Sequence, residues 1–275
     1  MDREYRQYSL LLFREYFAQT NVDLFIDTTA NATVGKILTA FGANEIPQFP
    51  SEHRRWIVRY SDTIENALRR RRIPAAALWK HPLGWVCLLW DRAGERSQVG
   101  RSPRPVRALD KFDERFDAVW STLRNQPNHL LAVRNCAALS WHFGNALRRG
   151  ASTILVLEEQ GDVTGYAVCL WPGVAGIPRG ELWVGDLQSI RGDPEDIESL
   201  MSGVLRLARR GGATAVRARG INGRKRRMWR TLDSSRDRVP WCPGFYKARS
   251  QELHALVGTA GSWGFSLYDG DAVLI

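Results

Sequence analysis

The chain has 275 residues, of which 44% are hydrophobic, and a formal net charge of +10. It has no apolar run of about 18 residues, and its charged start lacks the apolar core of a secretion signal, so we predict a cytoplasmic protein without a membrane span. The four cysteines are scattered and show neither metal-ligand spacing nor a disulfide framework, so no metal site is expected.

Arginine supplies most of the positive charge, and two basic runs stand out, Arg69 to Arg72 and Arg224 to Arg227. Residues 51–105 hold 12 basic and 5 acidic side chains, which places +7 of the charge in this segment. Such runs can bind the phosphates of a nucleic acid or a cofactor, or can form a solvated helix face. Because no aromatic residues alternate with the arginines, nucleic-acid binding is the least favoured of these interpretations.

The N-terminal third alternates between helix and strand patterns, which is typical of an α/β arrangement. The predicted elements are a helix at 8–19, a strand at 22–27, a helix at 31–43 and a strand at 54–60. Asn31 is the expected N-cap of the second helix, and Gly42 is its expected stop. The short apolar run at 83–90 predicts a strand or a docking segment.

Residues 91–110 are rich in Gly, Ser, Pro and Arg, as is typical of a linker. The predicted domain division is therefore a partial unit over 1–90, a linker over 91–110 and a complete domain over 111–275.

The pattern restarts after residue 110. The predicted elements are helices at 112–126 and 134–148, a hairpin of strands at 152–160 and 162–171, a strand at 181–190, a helix from 194, a strand at 213–220, a basic helix at 222–232 and strand-like segments at 244–250 and 263–275. The helix from 194 is the best specified, because Asp193 is a sound N-cap, Pro194 suits the first helical position and Gly211 ends the apolar repeat.

This order of elements over 112–275 resembles the GNAT (Gcn5-related N-acetyltransferase) superfamily. The tail from Trp263 to Asp271 also resembles the end of GNAT-like domains in bacterial acyltransferases. The resemblance implies an α/β (α+β) fold, with a mixed, mostly antiparallel central sheet flanked by helices. It further implies a second, partial GNAT-like unit near the N-terminus.

Residues 2–60 resemble that partial copy. Arg6 and Ser9 stand where the family has R-x-x-G, and Asn31, Val34, Leu38 and Gly42 follow the spacing N-x-x-A-x-x-x-Y-x-x-x-G. We therefore expect the chain to begin partway through a GNAT-like unit. A short extension that merely resembles the unit and a truncated gene are the alternatives.

The resemblance implies transfer of an acyl group from acetyl-CoA or another acyl-CoA to an amine, on a small molecule or another acceptor. Amides of a splayed central strand would hold the thioester carbonyl, and amides at the next helix N-terminus would bind the pyrophosphate. A tyrosine would protonate the leaving thiolate, while a base or water would accept the amine proton.

Carried onto this chain, the resemblance assigns two groups of residues. Acyl-CoA binding falls to Leu187, Gln188, Ser189, Arg191, Gly192, Asn222 and Trp229. Catalysis falls to Tyr246 as the acid, with Tyr268 as a weaker candidate, and to Asp186 or Glu181 as the base.

The motif departs from the family pattern at the pyrophosphate turn. The segment Gln188 to Asp193 has a single glycine where the signature has Q/R-x-x-G-x-G/A. Asp193, Glu195 and Asp196 place carboxylates where phosphate should dock, and Trp229 stands where a proton-donating tyrosine is expected. Acyl transfer is therefore the leading hypothesis, with a catalytically inactive GNAT-like binding module and an arginine-rich nucleic-acid-binding protein as alternatives.

Overall fold

The structure is a computed structural model that describes residues 6–47, 52–70, 72–73, 76–93, 104–127, 129–171, 180–219, 235–238, 244–259 and 262–269. Its helices are α1 (Arg6–Ala18), α2 (Ala32–Ala40), α3 (Tyr60–Arg70), α4 (Ala76–Ala93), α5 (Arg115–Arg124), α6 (Cys136–Arg148), α7 (Pro194–Arg210) and α8 (Gln251–Val257). Its strands are β1 (Leu24–Asp27), β2 (Asn44–Glu45), β3 (Glu52–Ile57), β4 (Val106–Leu109), β5 (Ser152–Glu159), β6 (Asp162–Leu170), β7 (Glu181–Ser189), β8 (Ala215–Arg219), β9 (Ser235–Arg238) and β10 (Phe245–Ala248). A 3-10 turn covers Leu267–Asp269.

A seven-stranded sheet forms the larger part of the molecule, in the order β4-β5-β6-β7-β8-β3-β9. All neighbouring strands are antiparallel except β7 and β8, which are parallel. The apolar stripe of α7 covers one face, where Leu200, Met201 and Val204 are fully buried. Helices α5 and α6 and the 3-10 turn cover the other face, around Phe116, Phe143 and Tyr166. The two buried layers hold β7 rigidly at the centre of the sheet.

A separate three-stranded sheet has the order β1-β10-β2, with both pairings antiparallel. Its central strand, β10, comes from the end of the chain, while the strands on either side come from the first 45 residues. The reverse holds in the larger sheet, where β3 from the N-terminal part lies between β8 and β9. The two parts of the chain have therefore exchanged one strand each.

The exchange exposes a repeated topology. The succession α1-β1-α2-β2-β3 runs from residue 6 to 57, and α7-β8 followed by β9-β10 runs from 194 to 248. In each set the final strand leaves its own unit and inserts antiparallel between two strands of the other. The chain thus has two sets of elements, and each set donates its final strand to the sheet of the other.

Local signals in the sequence are largely confirmed. Asn31 caps α2 by accepting hydrogen bonds from the amides of Thr33 and Val34, and Gly42 has a positive φ of 80°. The hairpin turn forms at Gln160 and Gly161, and Asp193 caps α7.

Two expectations were wrong. The apolar run 83–90 is not a strand but part of α4, because its apolar side chains continue a helical repeat that begins at Leu78. In the tail, Leu267–Asp269 form a 3-10 turn rather than a strand, where Asp269 accepts from the amide of Ser266. The basic helix expected at 222–232 lies outside the described residues.

The segment 91–110 is only partly described. Its first three residues end α4, and Val106–Leu109 form the edge strand β4, paired with β5. The division into 1–90, 91–110 and 111–275 stays a prediction, and the strand exchange runs across it.

Cys169 lies in the layer between β6 and α7 and is fully buried. Burial raises the pKa of its thiol from 9.0 to about 12. The unfolded chain therefore loses this proton at lower pH than the folded chain, and the stability that the neutral thiol preserves is lost as pH rises between about 9 and 12. We expect a smaller loss of unfolding free energy between about pH 8 and 10.5 in Cys169→Ala than in the wild type, measured by urea denaturation. Cys136→Ala, at a partly exposed position, is the matched control and should follow the wild type.

Candidate functional site

A β-bulge in β7 sets which residues face the site. Val168 pairs with Asp186 and Cys169 pairs with Val184, so Gly185 is the extra residue. After the bulge, the side chain of Asp186 lies on the same face as Tyr166, the face covered by α5 and α6. A Cβ at position 185 would lie 2.9 Å from the Leu170 Cδ1 atom, so the bulge closely fits a residue without a side chain.

The described pairing of β7 with β8 ends at the bulge. The parallel pairing joins 181–184 to 215–218 and ends at Val184 and Ala218. On this side, residues 185–189 have no strand partner among the described residues, whereas on the other side they pair with β6. Among the described residues, the pairing ends where the resemblance implies that the central strand splays at an acyl-donor site.

Arg134 fixes the bulge from the side of α6. Its side chain is fully buried, and its Nε donates to Asp186 Oδ2 at 2.9 Å. Its second terminal nitrogen donates to Asp269 Oδ2 at 2.8 Å in the 3-10 turn, and its first donates to the Ala132 carbonyl at 2.9 Å. One guanidinium thus joins β7, the start of α6 and the C-terminal tail.

Asp186 accepts two further hydrogen bonds. The Tyr166 hydroxyl donates to Oδ2 at 2.7 Å, and the Gln188 amide nitrogen donates to Oδ1 at 3.0 Å. Both carboxylate oxygens are therefore occupied within a fully buried network. This geometry suits a carboxylate that positions the strand rather than one that accepts a proton.

The pKa shifts of the groups around Asp186 agree with this role. Burial disfavours the charge on Arg134, but the carboxylates of Asp186 and Asp269 outweigh it, and the pKa of the guanidinium is raised. Burial, followed by the charge of Asp186, raises the pKa of Tyr166 well above 10. Burial also raises the pKa of Tyr268 to about 12. At neutral pH the arginine is charged, and both tyrosines keep the protons that they donate.

Glu181 lies at the other end of β7 within a small charged cluster. Its Oε2 lies 2.6 Å from Arg217 Nε and accepts from Trp183 Nε1 at 3.3 Å, and its Oε1 lies 3.6 Å from Arg55 Nε. Arg55 belongs to the exchanged strand β3, so this cluster is shared between the two units. Glu181 is nearly buried, and two cations face it.

The N-terminus of α7 is occupied by the protein's own carboxylates. Asp193 accepts from the Glu195 amide at 3.0 Å, and the buried Asp196 accepts from Ser189 Oγ at 2.7 Å and pairs with Arg104 at 2.8 Å. Arg191 is held by Glu159. The Glu195 amide, the Ser189 hydroxyl and the Arg191 guanidinium thus already have partners within the protein, and three acidic residues lie at the terminus. The residues present here do not fit the pyrophosphate of an acyl-CoA.

The remaining assigned residues lie elsewhere. Tyr246 is on β10 in the three-stranded sheet, buried beside Trp263 and His254, and burial raises its pKa. Leu187 points into the layer under α7. Asn222 and Trp229 lie outside the described residues.

Sequence reasoning missed the central member of the site, Arg134. No linear pattern marks it, because its partners Asp186 and Asp269 are 52 and 135 residues away. An arginine within the apolar stretch from Leu130 to Leu139 was the one available signal.

Among the residues that the structure describes, no group of three or more His, Cys, Asp or Glu could hold a metal ion. Within that same set, no helix combines the length and apolarity required to cross a membrane.

Comparisons with known proteins support the fold. No protein-family model matches the chain, and no curated protein matches it. An Enterococcus faecalis protein described as a "probable N-acyltransferase" aligns with a TM-score of 0.52 at 10% identity, over 90% of this chain and 52% of that one. A GCN5-related N-acetyltransferase from Anabaena variabilis gives 0.47 at 11% identity, over 89% and 52%. A tandem GNAT protein of the clavulanic acid pathway gives 0.45 at 13% identity, over 90% and 69%.

This chain spans about half the length of the first two of these proteins. At such low identity the likeness concerns the fold alone. Together with the order of elements, the likeness to the Enterococcus faecalis protein supports a GNAT-like α/β fold.

Proposed function

We propose that this GNAT-like chain transfers an acyl group from a thioester donor to an amine. The observation that carries the proposal is the bulge at Gly185 of β7, after which residues 185–189 have no strand partner on the β8 side among the described residues. Such an edge offers backbone amides to an incoming carbonyl without a competing strand. Leu187, Gln188 and Ser189 are the residues whose amides we propose for this role.

The side chains around the bulge hold the backbone of β7 in place and take no direct part in the proposed reaction. Arg134 and Tyr166 hold Asp186 from two directions, which restrains the backbone of β7 next to the proposed acyl site. A rigid edge keeps the amide dipoles oriented before the donor arrives, which is how oxyanion-type sites stabilise developing charge. We therefore assign Asp186 a positioning role.

The proton transfers remain proposals on the residues that the resemblance implies. Glu181, which lies beside Arg55 and Arg217, or water would accept the amine proton. Tyr246 keeps its phenolic proton because burial raises its pKa, and it stays the proposed acid.

The structure also bears on how the acyl donor would be recognised. Because the N-terminus of α7 is filled by Asp193 and Asp196, we propose that the donor is recognised by its acyl thioester and neighbouring arm, without docking of a pyrophosphate at α7. An acyl-CoA would then have no advantage over a shorter thioester.

A binding experiment tests this proposal. We expect acetyl-CoA and S-acetyl-pantetheine to bind with dissociation constants within about threefold of each other, measured by isothermal titration calorimetry. Absence of binding for both up to about 1 mM would exclude acyl transfer from a thioester. Acetyl-CoA binding tighter by about tenfold or more would show that the pyrophosphate is held after all.

A matched variant sharpens the comparison. Asp193→Gly removes one carboxylate from the α7 terminus and frees the Glu195 amide, at a cost to helix stability of a few tenths of a kcal/mol. If charge and occupancy at this terminus exclude the pyrophosphate, the variant should bind acetyl-CoA more tightly and S-acetyl-pantetheine unchanged. Equal effects on both ligands would contradict that explanation.

A second function has support from a specific observation. The filled α7 terminus, combined with an Asp186 whose oxygens accept three hydrogen bonds, favours a catalytically inactive GNAT-like module that binds a ligand or partner. The calorimetric result for S-acetyl-pantetheine separates the two functions.

A further inference from the structure

Helix α4 presents an apolar face that none of the described residues covers. Within this helix, Leu78 is 75% exposed, Trp85 is 62% exposed, and Trp79, Val86 and Leu89 are each more than half exposed. With the exposed Pro82, these six residues recur at intervals of three and four and form one stripe along the helix. We call this stripe the α4 face.

The opposite side of α4 packs within the protein. Gly84 is buried, and a Cβ there would lie 3.1 Å from the backbone nitrogen of Ser61 in α3. Helices α3 and α4 thus form a closely packed hairpin, with the α4 face directed away from α3. The exposure of the stripe follows from how the hairpin packs.

Positive charge lies at one end of this apolar stripe. The hairpin, residues 60–93, carries six basic and three acidic residues, four of them in the arginine run at its tip. Arg72 at this tip is exposed, and the Arg69 side chain is 68% exposed beside Glu65. An apolar helix face with tryptophans and nearby arginines matches the surface of an anionic membrane, where rings lie at headgroup depth and cations meet lipid phosphates.

Two features favour a lipid surface over a protein. A helix of 18 residues is about 27 Å long and about 10 Å wide, so the α4 face offers roughly 270 Å², well below the ~800 Å² that each partner buries in a standard protein interface. Pro82 on the exposed side also leaves a helix carbonyl without an amide donor. Water in the headgroup region can satisfy that carbonyl, whereas a dry protein interface would leave it unpaired.

We propose that the α4 face docks this protein on anionic lipid bilayers. The helix lies in the interface plane, with Trp79 and Trp85 among the headgroups and the arginine run against lipid phosphates. This interaction is independent of the proposed acyl transfer.

The test is flotation of the full chain with vesicles. We expect binding to phosphatidylglycerol–phosphatidylcholine vesicles, weakened about tenfold in pure phosphatidylcholine and again in about 0.5 M salt. The double variant Trp79→Gln with Trp85→Gln should lose about tenfold or more in binding, and Arg72→Gln about fivefold.

The matched control is Trp141→Gln on α6, where the ring is 74% exposed but lies outside the hairpin. It should bind as the wild type does. Because Trp79, Trp85 and Trp141 are all exposed, the control and the double variant should both fold. Equal loss in the control and the double variant, or no wild-type binding to anionic vesicles, would overturn the proposal. So would a wild-type dimer that the double variant converts to a monomer in light scattering, because the face would then bind a second copy.

Discussion

Replacing Arg134 with methionine is expected to lower the free energy of unfolding by about 3–5 kcal/mol. The substitution keeps much of the side-chain volume but leaves the buried Asp186 and the nearly buried Asp269 without their shared cation. A carboxylate removed from water without a partner is among the most costly arrangements in a protein interior. For a chain of this size the midpoint of thermal unfolding should fall by about 10 °C, as measured by circular dichroism.

The control is Arg69→Met, which removes an exposed ion pair with Glu65 and should change stability by less than about 0.5 kcal/mol. A double variant adds a second check. Because Arg134 and Asp186 act as one unit, Arg134→Met with Asp186→Asn should cost less than the sum of the two single changes. A loss below about 1 kcal/mol in Arg134→Met would mean that the network does not hold β7.

The elements predicted from sequence were those with local signals. Asp193, Pro194 and Gly211 mark α7 because capping and proline placement act within one turn of the chain. Gln160 and Gly161 mark the hairpin because both adopt positive φ values there. Such signals need no knowledge of distant residues.

The mistaken strand at 83–90 shows where local signals fail. Eight apolar residues fit a buried strand or a helix face equally well. The deciding evidence is the continuation of the stripe upstream to Leu78, across Pro82, a residue that normally argues against a helix interior. An exposed face of this kind has no counterpart in a globular core, so the pattern suggested burial where none exists.

The candidate site depended on pairings that are distant in sequence. The acidic terminus of α7 could be predicted because its residues lie close together in sequence. In the structure Asp193 accepts from the Glu195 amide, and Asp196 accepts from the Ser189 hydroxyl. Arg134, Asp186 and Asp269 meet only after α6, β7 and the tail are assembled. The exchange of β3 and β10 could not be predicted from the sequence either. The alternation of apolar and polar residues in a strand indicates which side chains share a face, but not which strands pair with it.

Trp56 is where the strand exchange can be tested with a large effect. It lies on β3, is 4% exposed, and pairs with Val216 of β8 within the layer beneath α7. Trp56→Ala should therefore lower the free energy of unfolding by about 3–5 kcal/mol in urea denaturation, because it empties a large volume in the core of the C-terminal unit. Trp141→Ala on α6, an exposed tryptophan, should change it by less than about 0.5 kcal/mol.

Amide hydrogen-exchange measurements can tell whether β3 is inserted in the C-terminal sheet or packs within the N-terminal part of the chain. If β3 completes the C-terminal sheet, Trp56→Ala should reduce the protection of amides in β8, although β8 follows the substitution by some 160 residues. Loss of protection confined to α1, β1 and α2 would show that β3 stays with its own unit. Because Arg55 on the same strand lies beside Glu181, correct insertion of β3 also sets the charge at one end of β7. The N-terminal part of the chain would then act on the proposed acyl site through the strand that it donates, and the two parts would depend on each other in folding and in function.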